Sequence, residues 1–252
     1  MSELHPSTRG FAAADVYERG RPDYPAAAVE YVVDRLGLRL GRTVLDLAAG
    51  TGKLTRLLVP SGATVLAVEP LREMREELER RVPGVVALAG TAERIPLPDA
   101  SVDAVTVASA FHWFDADAAL SEIRRVLASG GGLGLLWNAR DEHNPWQREV
   151  SELIAPLRGD TPSRTRRDWP AMLAGSGLFE HVERLLFEHE QEVDEDGLVA
   201  RVLSVSFVGS LPLAEQRKVE ERVRAIARGA EQPIRLAYTT ELYLGFAASS
   251  RN

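Results

Sequence analysis

Short apolar runs alternate with amphipathic stretches along the first two-thirds of the chain. The runs are almost continuous in apolar residues, which is typical of strands buried on both faces of a parallel sheet. The amphipathic stretches repeat their apolar residues at helical spacing. The pattern predicts strands over residues 43–47, 63–69, 85–89, 102–109 and 132–137, and helices over 71–81 and 117–127, with glycines 130–132 ending the second helix and starting the fifth strand.

The last third has a different order of elements. Its pattern predicts a strand over residues 185–193, helices over 196–207 and 213–228, and a final strand over 235–246. Repeated strand–helix–strand units require right-handed crossovers and give a doubly wound sheet. We therefore expect an α/β, Rossmann-like fold with a mostly parallel seven-stranded sheet, an antiparallel last strand and a helical insertion near the C-terminus.

Composition narrows the chemistry that the chain can perform. The 252 residues include no cysteine, which excludes disulfides, thiolate zinc sites and a cysteine nucleophile. The formal net charge is -7, and a protein that mainly binds nucleic acid usually presents a basic surface. The first 17 residues contain no apolar signal core, and no apolar run is long enough to span a bilayer. We expect a cytoplasmic protein with no membrane or nucleic-acid partner, as a monomer or a homodimer.

A turn of small residues follows the first predicted strand, in the segment VLDLAAGTGKLT. Small residues let the backbone approach a ligand, and open α/β sheets bind ligands at the carboxyl ends of their strands. Leu54 stands where a phosphate-binding P-loop needs Ser or Thr, and Thr55 stands where a dinucleotide fingerprint needs its last glycine. An acid inside the turn disfavours a pyrophosphate and suits a ligand with an ammonium group. The remaining pattern consists of Asp46, Ala48, Gly50 and Gly52.

An acid also ends the second predicted strand, where Glu69 is followed by Pro70. A carboxylate at this place accepts hydrogen bonds from both hydroxyls of a ribose in dinucleotide-binding folds. Taken alone, such an acid is more often a favourable charge at a helix N-terminus. The glycine turn and the acid on the next strand are together much more specific than either feature.

With these two features the chain resembles the class I S-adenosylmethionine-dependent methyltransferases, over roughly residues 11–138. The glycine turn resembles the first motif of that family, with Ala48 in the place of its first glycine, and Glu69 resembles the ribose-binding acid of the second. The segment GTAERIP at 90–96 resembles the one whose acid and following amide hold adenine, with Thr91 in the place of aspartate.

Two further segments resemble a small-molecule branch of that family, the type 11, trans-aconitate methyltransferase-like proteins. SAFHWF at 109–114 is similar to the A-x-H-W motif of the branch, and YERGRPDYP at 17–25 is similar to its Y-x-x-x-R-P-x-Y-P segment. The resemblance implies that S-adenosyl-L-methionine is the cofactor. We interpret the chain as a single domain over 1–252, with a cofactor-binding core at 11–140 and a helical insertion at 194–230 that forms a lid, a substrate cap or only a packing elaboration.

The resemblance also suggests which residues form the site. His112 is the candidate catalytic residue, as a general base or an orienting donor, although simple packing beside the cofactor is the alternative. We expect acceptor contacts from Trp113, Asn138 and Arg140. No metal is expected, because the other histidines lack ligand spacing. The expected cofactor contacts are Tyr17, Arg21, Asp46, Ala48, Gly50, Thr51, Gly52, Glu69, Pro70, Thr91, Ala92, Glu93, Ser109 and Phe111.

The expected reaction is an in-line methyl transfer to a small-molecule acceptor, for which alignment and exclusion of water are the protein's main tasks. Three other classes remain open at this point. A methyltransferase for a macromolecule has the same cofactor fold, but there is no N-P-P-Y-type segment after the fourth strand. A nicotinamide-dependent oxidoreductase is disfavoured by the incomplete fingerprint. A non-catalytic cofactor-binding protein is consistent with Ala48 and Thr91, which weaken expected contacts.

Overall fold

The described chain forms a mixed α/β fold around one seven-stranded sheet. The computed structural model describes residues 14–163 and 168–248, so residues 11–13 of the predicted cofactor-binding core lie outside the described residues. The sheet order is β3-β2-β1-β4-β5-β7-β6. The strands are β1 Thr43–Leu47, β2 Thr64–Val68, β3 Val86–Leu88, β4 Val102–Ala108, β5 Leu127–Arg140, β6 Phe179–Val193 and β7 Ile234–Ala247.

The strand directions confirm the predicted fold class. The pairs β1–β2, β1–β4, β2–β3 and β4–β5 are parallel, and β7 runs antiparallel between β5 and β6. Crossovers between parallel strands bring the carboxyl ends of β1, β2 and β4 to the same edge of the sheet. The motif at 46–52 includes the end of β1, and the motifs at 69–70 and 109–114 directly follow β2 and β4.

Ten α-helices surround or follow the strands in the described part of the chain. Only the helices over 71–81, 117–127 and the C-terminal third were predicted from periodicity. The helices are α1 Ala14–Gly20, α2 Ala26–Arg35, α3 Thr55–Leu58, α4 Arg72–Arg81, α5 Ala116–Val126, α6 Pro145–Ile154, α7 Trp169–Gly175, α8 Glu195–Leu203, α9 Ser206–Gly209 and α10 Leu213–Gly229. None of the described helices is both long and apolar enough to cross a bilayer.

The fifth strand differs most from its prediction. It begins at Leu127, directly after α5, so the glycines lie inside its irregular first part and do not separate helix from strand. The pairing with β4 shifts register between Val102 and Ala104, which accommodates the extra residues as a bulge. A Cβ atom on Gly132 would lie 2.5 Å from a side-chain carbon of Leu36. A larger residue there would force the Leu36 side chain to move, because the strand passes close to the segment that follows α2.

The C-terminal third also departs from the pattern in two places. The sixth strand starts at Phe179, six residues before the predicted start. The prediction missed this first part because it carries more exposed polar residues than a buried strand would. The predicted helix over 196–207 is two helices, since α8 ends at Leu203 and a new helix, α9, starts at Ser206. Here tertiary packing overrides a helical pattern that continues through the break.

The chain divides into two compact units, which we name for their main contents. The sheet unit comprises Tyr24–Asn138, Ser163–Phe187 and Thr240–Asn252, and the helical unit comprises the chain up to Asp23 together with Ala139–Pro162 and Glu188–Thr239. The helical unit has its own apolar cluster, which includes Leu198, Val202, Val223 and Tyr238. The prediction of a single domain with an insertion at 194–230 stays a prediction.

Candidate functional site

The glycine turn of the sheet unit bends sharply at three residues in the left-handed region. Ala48 has a φ of 55°, Gly50 of 58° and Gly52 of 85°. Glycine adopts this region without strain, whereas a residue with a Cβ pays of the order of 1 kcal/mol for it. The departure from the family's glycine at position 48 therefore leaves the turn intact but strained. No heavy atom would lie within 4 Å of a Cβ on Gly50, so the turn is open at that residue.

Asp46 lies beneath the turn with no exposed surface. One carboxylate oxygen accepts a hydrogen bond from the Thr55 hydroxyl at 2.7 Å, and the other accepts one from Thr106 at 3.2 Å. Burial raises the pKa of Asp46 to about 6, although both threonine hydroxyls and the Thr55 amide favour the charged form. The carboxylate thus joins β1, the first residue of α3 and β4, and it fixes the turn from below.

Glu69 holds the turn from the side. Its Oε2 accepts the amide of Gly50 at 3.0 Å and its Oε1 accepts the amide of Leu71 at 2.9 Å, and the residue is 5% exposed. Burial raises the pKa of Glu69 to about 7, against the opposing effect of these two amides. Each carboxylate oxygen has a second lone pair. The side chain can therefore accept two further hydrogen bonds while it still holds both amides.

Pro70 and the adjoining backbone are also fixed. The guanidinium of Arg75, on the first turns of α4, donates to the carbonyl oxygens of Glu69 and Pro70 at 2.8 and 2.9 Å. Thr51, inside the glycine turn, is 1% exposed and belongs to the packed part of the loop. The amides and carboxylate of this region are consequently held in place before any ligand binds, which lowers the entropic cost of binding.

The loop after β3 contains three of the expected cofactor contacts, of which Thr91 and Ala92 are expected at the adenine. Thr91 is half-buried and its carbonyl accepts the amide of Arg94 at 3.2 Å, while Ala92 is 3% exposed. The Glu93 carboxylate accepts the amide of Asp115 at 3.1 Å and is directed to α5. A backbone hydrogen bond between Arg94 and Thr91 thus closes this short part of the loop.

Two side chains of α5 hold the end of the same loop. Glu122 accepts the amide of Ile95 at 2.9 Å, and Arg125 donates to the carbonyls of Ile95 and Leu97 at 2.9 and 2.8 Å. Glu122 and Arg125 also pair with each other, and hydrogen bonding to Arg125 lowers the pKa of Glu122. Neither residue was selected from the sequence, because an i, i+3 pair of opposite charges is common on helix surfaces.

After β4 the chain makes a second strained turn at Ser109, whose φ is 55°. Its amide donates to the carbonyl of Leu136 at 2.7 Å, and its hydroxyl is hydrogen-bonded to that of Tyr24 at 2.9 Å. Phe111 has no exposed surface, and its ring packs against Phe114 with 5.2 Å between ring centroids. A side chain this deep supports the loop as part of the core.

His112 lies in the 3₁₀ turn that follows, half-buried, and its tautomer is set by a neighbour. The indole Nε1 of Trp137, on β5, donates to the Nδ1 of His112 at 3.2 Å. An indole nitrogen donates and never accepts, so Nδ1 holds its lone pair and the neutral ring has its proton on Nε2. Trp137 is itself 2% exposed and stacks on Trp169 at 5.0 Å. The geometry thus favours a ring that presents an N–H donor at Nε2.

The expected acceptor residues fall in both units. The ring of Trp113 is half-buried and lies 5.3 Å from that of His112. Asn138, at the end of the sheet unit's part of β5, accepts the hydroxyl of Thr240 at 2.6 Å. Arg140 belongs to the helical unit.

Two expected cofactor residues, Tyr17 and Arg21, also belong to the helical unit. The guanidinium of Arg21 lies over the Tyr17 ring, 5.1 Å from its centroid, and donates to the carbonyl of Ser204 at 2.8 Å. The contact with Ser204 could not be inferred from the sequence, because 183 residues separate the two positions.

The sequence did not predict the residues that position the site's side chains by hydrogen bonds. Thr55 and Thr106 hold Asp46, Tyr24 reaches Ser109, and Trp137 orients His112. Tyr24 is part of the segment at 17–25 and Trp137 ends the fifth predicted strand, so a signal for both existed in the sequence. A buried threonine on a strand has no such signal, because it is typical of strands anyway.

Comparison with known proteins agrees with this architecture. Residues 45–135 match the model of a family described as a methyltransferase domain. An uncharacterized methyltransferase of Mycobacterium tuberculosis is 43% identical over 215 residues, which are 85% of this chain and 84% of that protein. A demethylmenaquinone methyltransferase of Beutenbergia cavernae is 42% identical over 160 residues, 58% of this chain and 67% of that protein.

The fold is also shared with a solved structure. A putative type II methyltransferase from Anaeromyxobacter dehalogenans superimposes with a TM-score of 0.65 at 24% identity, over 90% of this chain and 97% of that one. The glycine turn, the acid after β2 and the seven-stranded sheet therefore occur together with a match to methyltransferases over most of the chain. This chain belongs to the class I S-adenosylmethionine-dependent methyltransferases.

Proposed function

We propose that this methyltransferase acts on a small-molecule acceptor. The observation that carries the cofactor side is the Glu69 carboxylate, which is held against an open glycine turn and keeps two lone pairs for a pair of hydroxyls. The net charge of -7 and the relative named for demethylmenaquinone support a small acceptor over a nucleic acid. We also assign the chain to the trans-aconitate methyltransferase-like branch, on the segments at 17–25 and 109–114.

The cofactor-binding residues have different tasks in this proposal. Glu69 accepts the ribose hydroxyls, the turn from Ala48 to Gly52 faces the rest of the cofactor, and the loop with Thr91 and Ala92 borders the adenine. Asp46 has no exposed surface and acts through the turn that it supports. When bound, S-adenosylmethionine would supply the methyl group of its sulfonium to the acceptor, and the pair of electrons of the broken C–S bond would stay on sulfur in S-adenosylhomocysteine.

His112 is proposed to orient the acceptor as a hydrogen-bond donor. The Trp137 indole occupies Nδ1, so the neutral ring offers Nε2–H to an oxygen or nitrogen of the acceptor. A general base would instead need a lone pair at the nitrogen that faces the acceptor. An acceptor that is already anionic needs no base, and for such an acceptor a fixed donor supplies alignment.

The acceptor class is tested by measuring S-adenosylhomocysteine release with pools of small acids, phenols and amines, and separately with RNA, DNA and protein. We expect release above background with a small-molecule pool only. Methyl incorporation confined to a macromolecular pool would overturn the acceptor proposal. Calorimetric titration with S-adenosylmethionine runs alongside, so that a failed screen is distinguished from a protein that does not bind its cofactor.

The role of His112 is tested by a matched pair of amides. In His112→Gln the amide nitrogen lies near the place of Nε2, whereas in His112→Asn it lies near that of Nδ1. A donor role predicts that the Gln variant stays within about 10-fold of the wild-type kcat while the Asn variant loses about 100-fold. Equal losses, with a pH profile that loses its acidic limb in both variants, would indicate a general base.

A further inference from the structure

Three arginines of the helical unit lie near one another, although they come from distant parts of the sequence. Arg21 directly follows α1, Arg140 ends β5, and Arg201 is on α8. The amide of Asp141, next to Arg140, donates to the carbonyl of Ala237 at 3.0 Å, and Arg201 is hydrogen-bonded to the following residue, Tyr238, so Arg140 and Arg201 lie close to each other. The positive charges of Arg201 and Arg21 both act on Arg140. Like charges repel most strongly where water is partly excluded. We refer to these residues as the arginine cluster.

Arg201 is the most deeply buried member, with 6% exposure. Its Nε donates to the hydroxyl of Tyr238 at 2.8 Å, and Tyr238 is itself 1% exposed. Its Nη1 is buried and, among the residues that the structure describes, has no hydrogen-bond acceptor. A buried guanidinium nitrogen without an acceptor costs a large part of its hydration free energy.

Arg140 is half-buried and, within 14–163 and 168–248, forms no hydrogen bond or ion pair. Burial, followed by the charges of Arg201 and Arg21, lowers the pKa of Arg140 to about 10. The charge of Glu142 acts in the opposite direction, but Glu142 is not hydrogen-bonded to Arg140. The N–H donors of the Arg140 guanidinium are therefore available to hydrogen-bond a ligand.

The backbone brings the cluster together by close helix packing. A Cβ atom on Gly20 would lie 2.2 Å from the carbonyl oxygen of Ala200, so only glycine lets the end of α1 lie against α8. This contact places Arg21 beside α8, where its Nη2 donates to the carbonyl of Ser204 at 2.8 Å. The cluster is thus built by the fold and is not a set of mobile surface side chains.

Proteins rarely bury arginine unless an anion or a carboxylate pairs with it. The guanidinium fork fits the two oxygens of a carboxylate or a phosphate, and it holds them with charge-assisted hydrogen bonds. We propose that Arg140 and Arg201, with Arg21 beside them, form a binding site for one carboxylate or phosphate group of a small ligand. The site is a property of the helical unit, and only its assignment to the methyl acceptor rests on the proposed function.

The first experiment measures the thermal stability of the protein against inorganic phosphate and succinate, with chloride keeping the ionic strength constant. An anion at about ten times its Kd is expected to raise the Tm of the wild type by about 3 °C. Arg140→Gln is expected to lose this rise, whereas Arg222→Gln, which removes an exposed charge on α10 of the same unit, keeps it. An equal rise in the wild type and Arg140→Gln, or no rise in the wild type, would overturn the proposal.

Two further measurements separate binding from folding. In buffer free of phosphate, Arg140→Gln is expected to melt no lower than the wild type, because it relieves repulsion in the cluster. Arg140→Lys keeps the charge without the fork and is expected to bind phosphate several-fold more weakly than the wild type. A Tm of Arg140→Gln well below the wild type, with phosphate binding retained, would mean that Arg140 has only a structural role.

A titration at saturating S-adenosylhomocysteine identifies the source of the anion. If phosphate still binds under these conditions, the site serves an anionic group of the acceptor. If the cofactor product abolishes phosphate binding, the site serves the carboxylate of the cofactor. Both results keep the anion site, and neither depends on a measured methyl transfer.

Discussion

The sheet unit and the helical unit treat their buried charges in opposite ways. In the sheet unit, Asp46 and Glu69 accept hydrogen bonds from threonine hydroxyls and from backbone amides at 2.7–3.2 Å. In the helical unit, Arg201 keeps a buried nitrogen without an acceptor among the described residues, and Arg140 has no hydrogen bond there. The protein thus supplies hydrogen-bond donors to both carboxylates, whereas the described residues supply too few acceptors for the N–H groups of Arg140 and Arg201.

This difference teaches how two kinds of site are prepared. A carboxylate that is already hydrogen-bonded fixes its loop and still accepts a ligand through its second lone pairs. A guanidinium with unsatisfied donors lowers stability until an anion arrives, which is a cost that functional sites commonly carry. The hydrogen-bonded carboxylates of the sheet unit and the arginine cluster of the helical unit should therefore respond differently to mutation.

The largest effect is expected from Glu69→Ala. The variant loses the acceptor for two ribose hydroxyls and releases the amides of Gly50 and Leu71, so cofactor affinity should fall by about 100-fold. Calorimetric titration with S-adenosylhomocysteine measures the loss. Glu79→Ala, an exposed position on α4 with the same change, is the control and should bind normally. Unchanged affinity in Glu69→Ala would remove the ribose role.

The second effect concerns stability. Thr55→Val keeps the volume but deprives the buried Asp46 carboxylate of its 2.7 Å hydrogen bond, so the free energy of unfolding should fall by about 2 kcal/mol. Urea denaturation measures it, with Thr64→Val on the exposed edge of β2 as the control. Arg140→Gln in the helical unit should cost nothing in the same assay. If both units lose similar stability, the contrast between them is wrong.

A smaller effect is expected from pH. The pKa of Glu69 is raised to about 7 by burial, so the free protein favours its neutral form below that pH. The ribose needs the carboxylate, and binding should therefore weaken as pH falls from 8 to 6, by about 10-fold. Titrations at pH 6, 7 and 8 test this, with Glu69→Gln expected to bind weakly at every pH. A flat profile in the wild type would mean that the carboxylate stays ionised throughout.

The smallest effect is expected from Ala48→Gly. Alanine at a φ of 55° is strained, and glycine relieves that strain by up to about 1 kcal/mol, less the entropy that glycine adds to the unfolded chain. Urea denaturation should show equal or slightly higher stability. Ala67→Gly, in the middle of β2, is the contrasting control and should be less stable. A clear loss of stability in Ala48→Gly would contradict the strain.

The sequence predicted the parts of the protein that are local in the chain. The strand at 43–47 matches β1 to the residue, and the turn after it has the positive φ angles that its glycines suggest. The acid at 69 lies against that turn, because the ends of neighbouring parallel strands meet at one edge. Less was predicted where periodicity is weak, as in the bulged start of β5 and the exposed first part of β6.

The fold class, the methyltransferase family and the cofactor motif could all be predicted from the sequence, because each depends on contiguous residues with a fixed period or spacing. Only the tertiary structure decided the tautomer of His112, which depends on Trp137, and the arginine cluster, which joins positions 21, 140 and 201. The physical reason is that burial and unsatisfied donors are properties of an assembled environment. No single segment carries them.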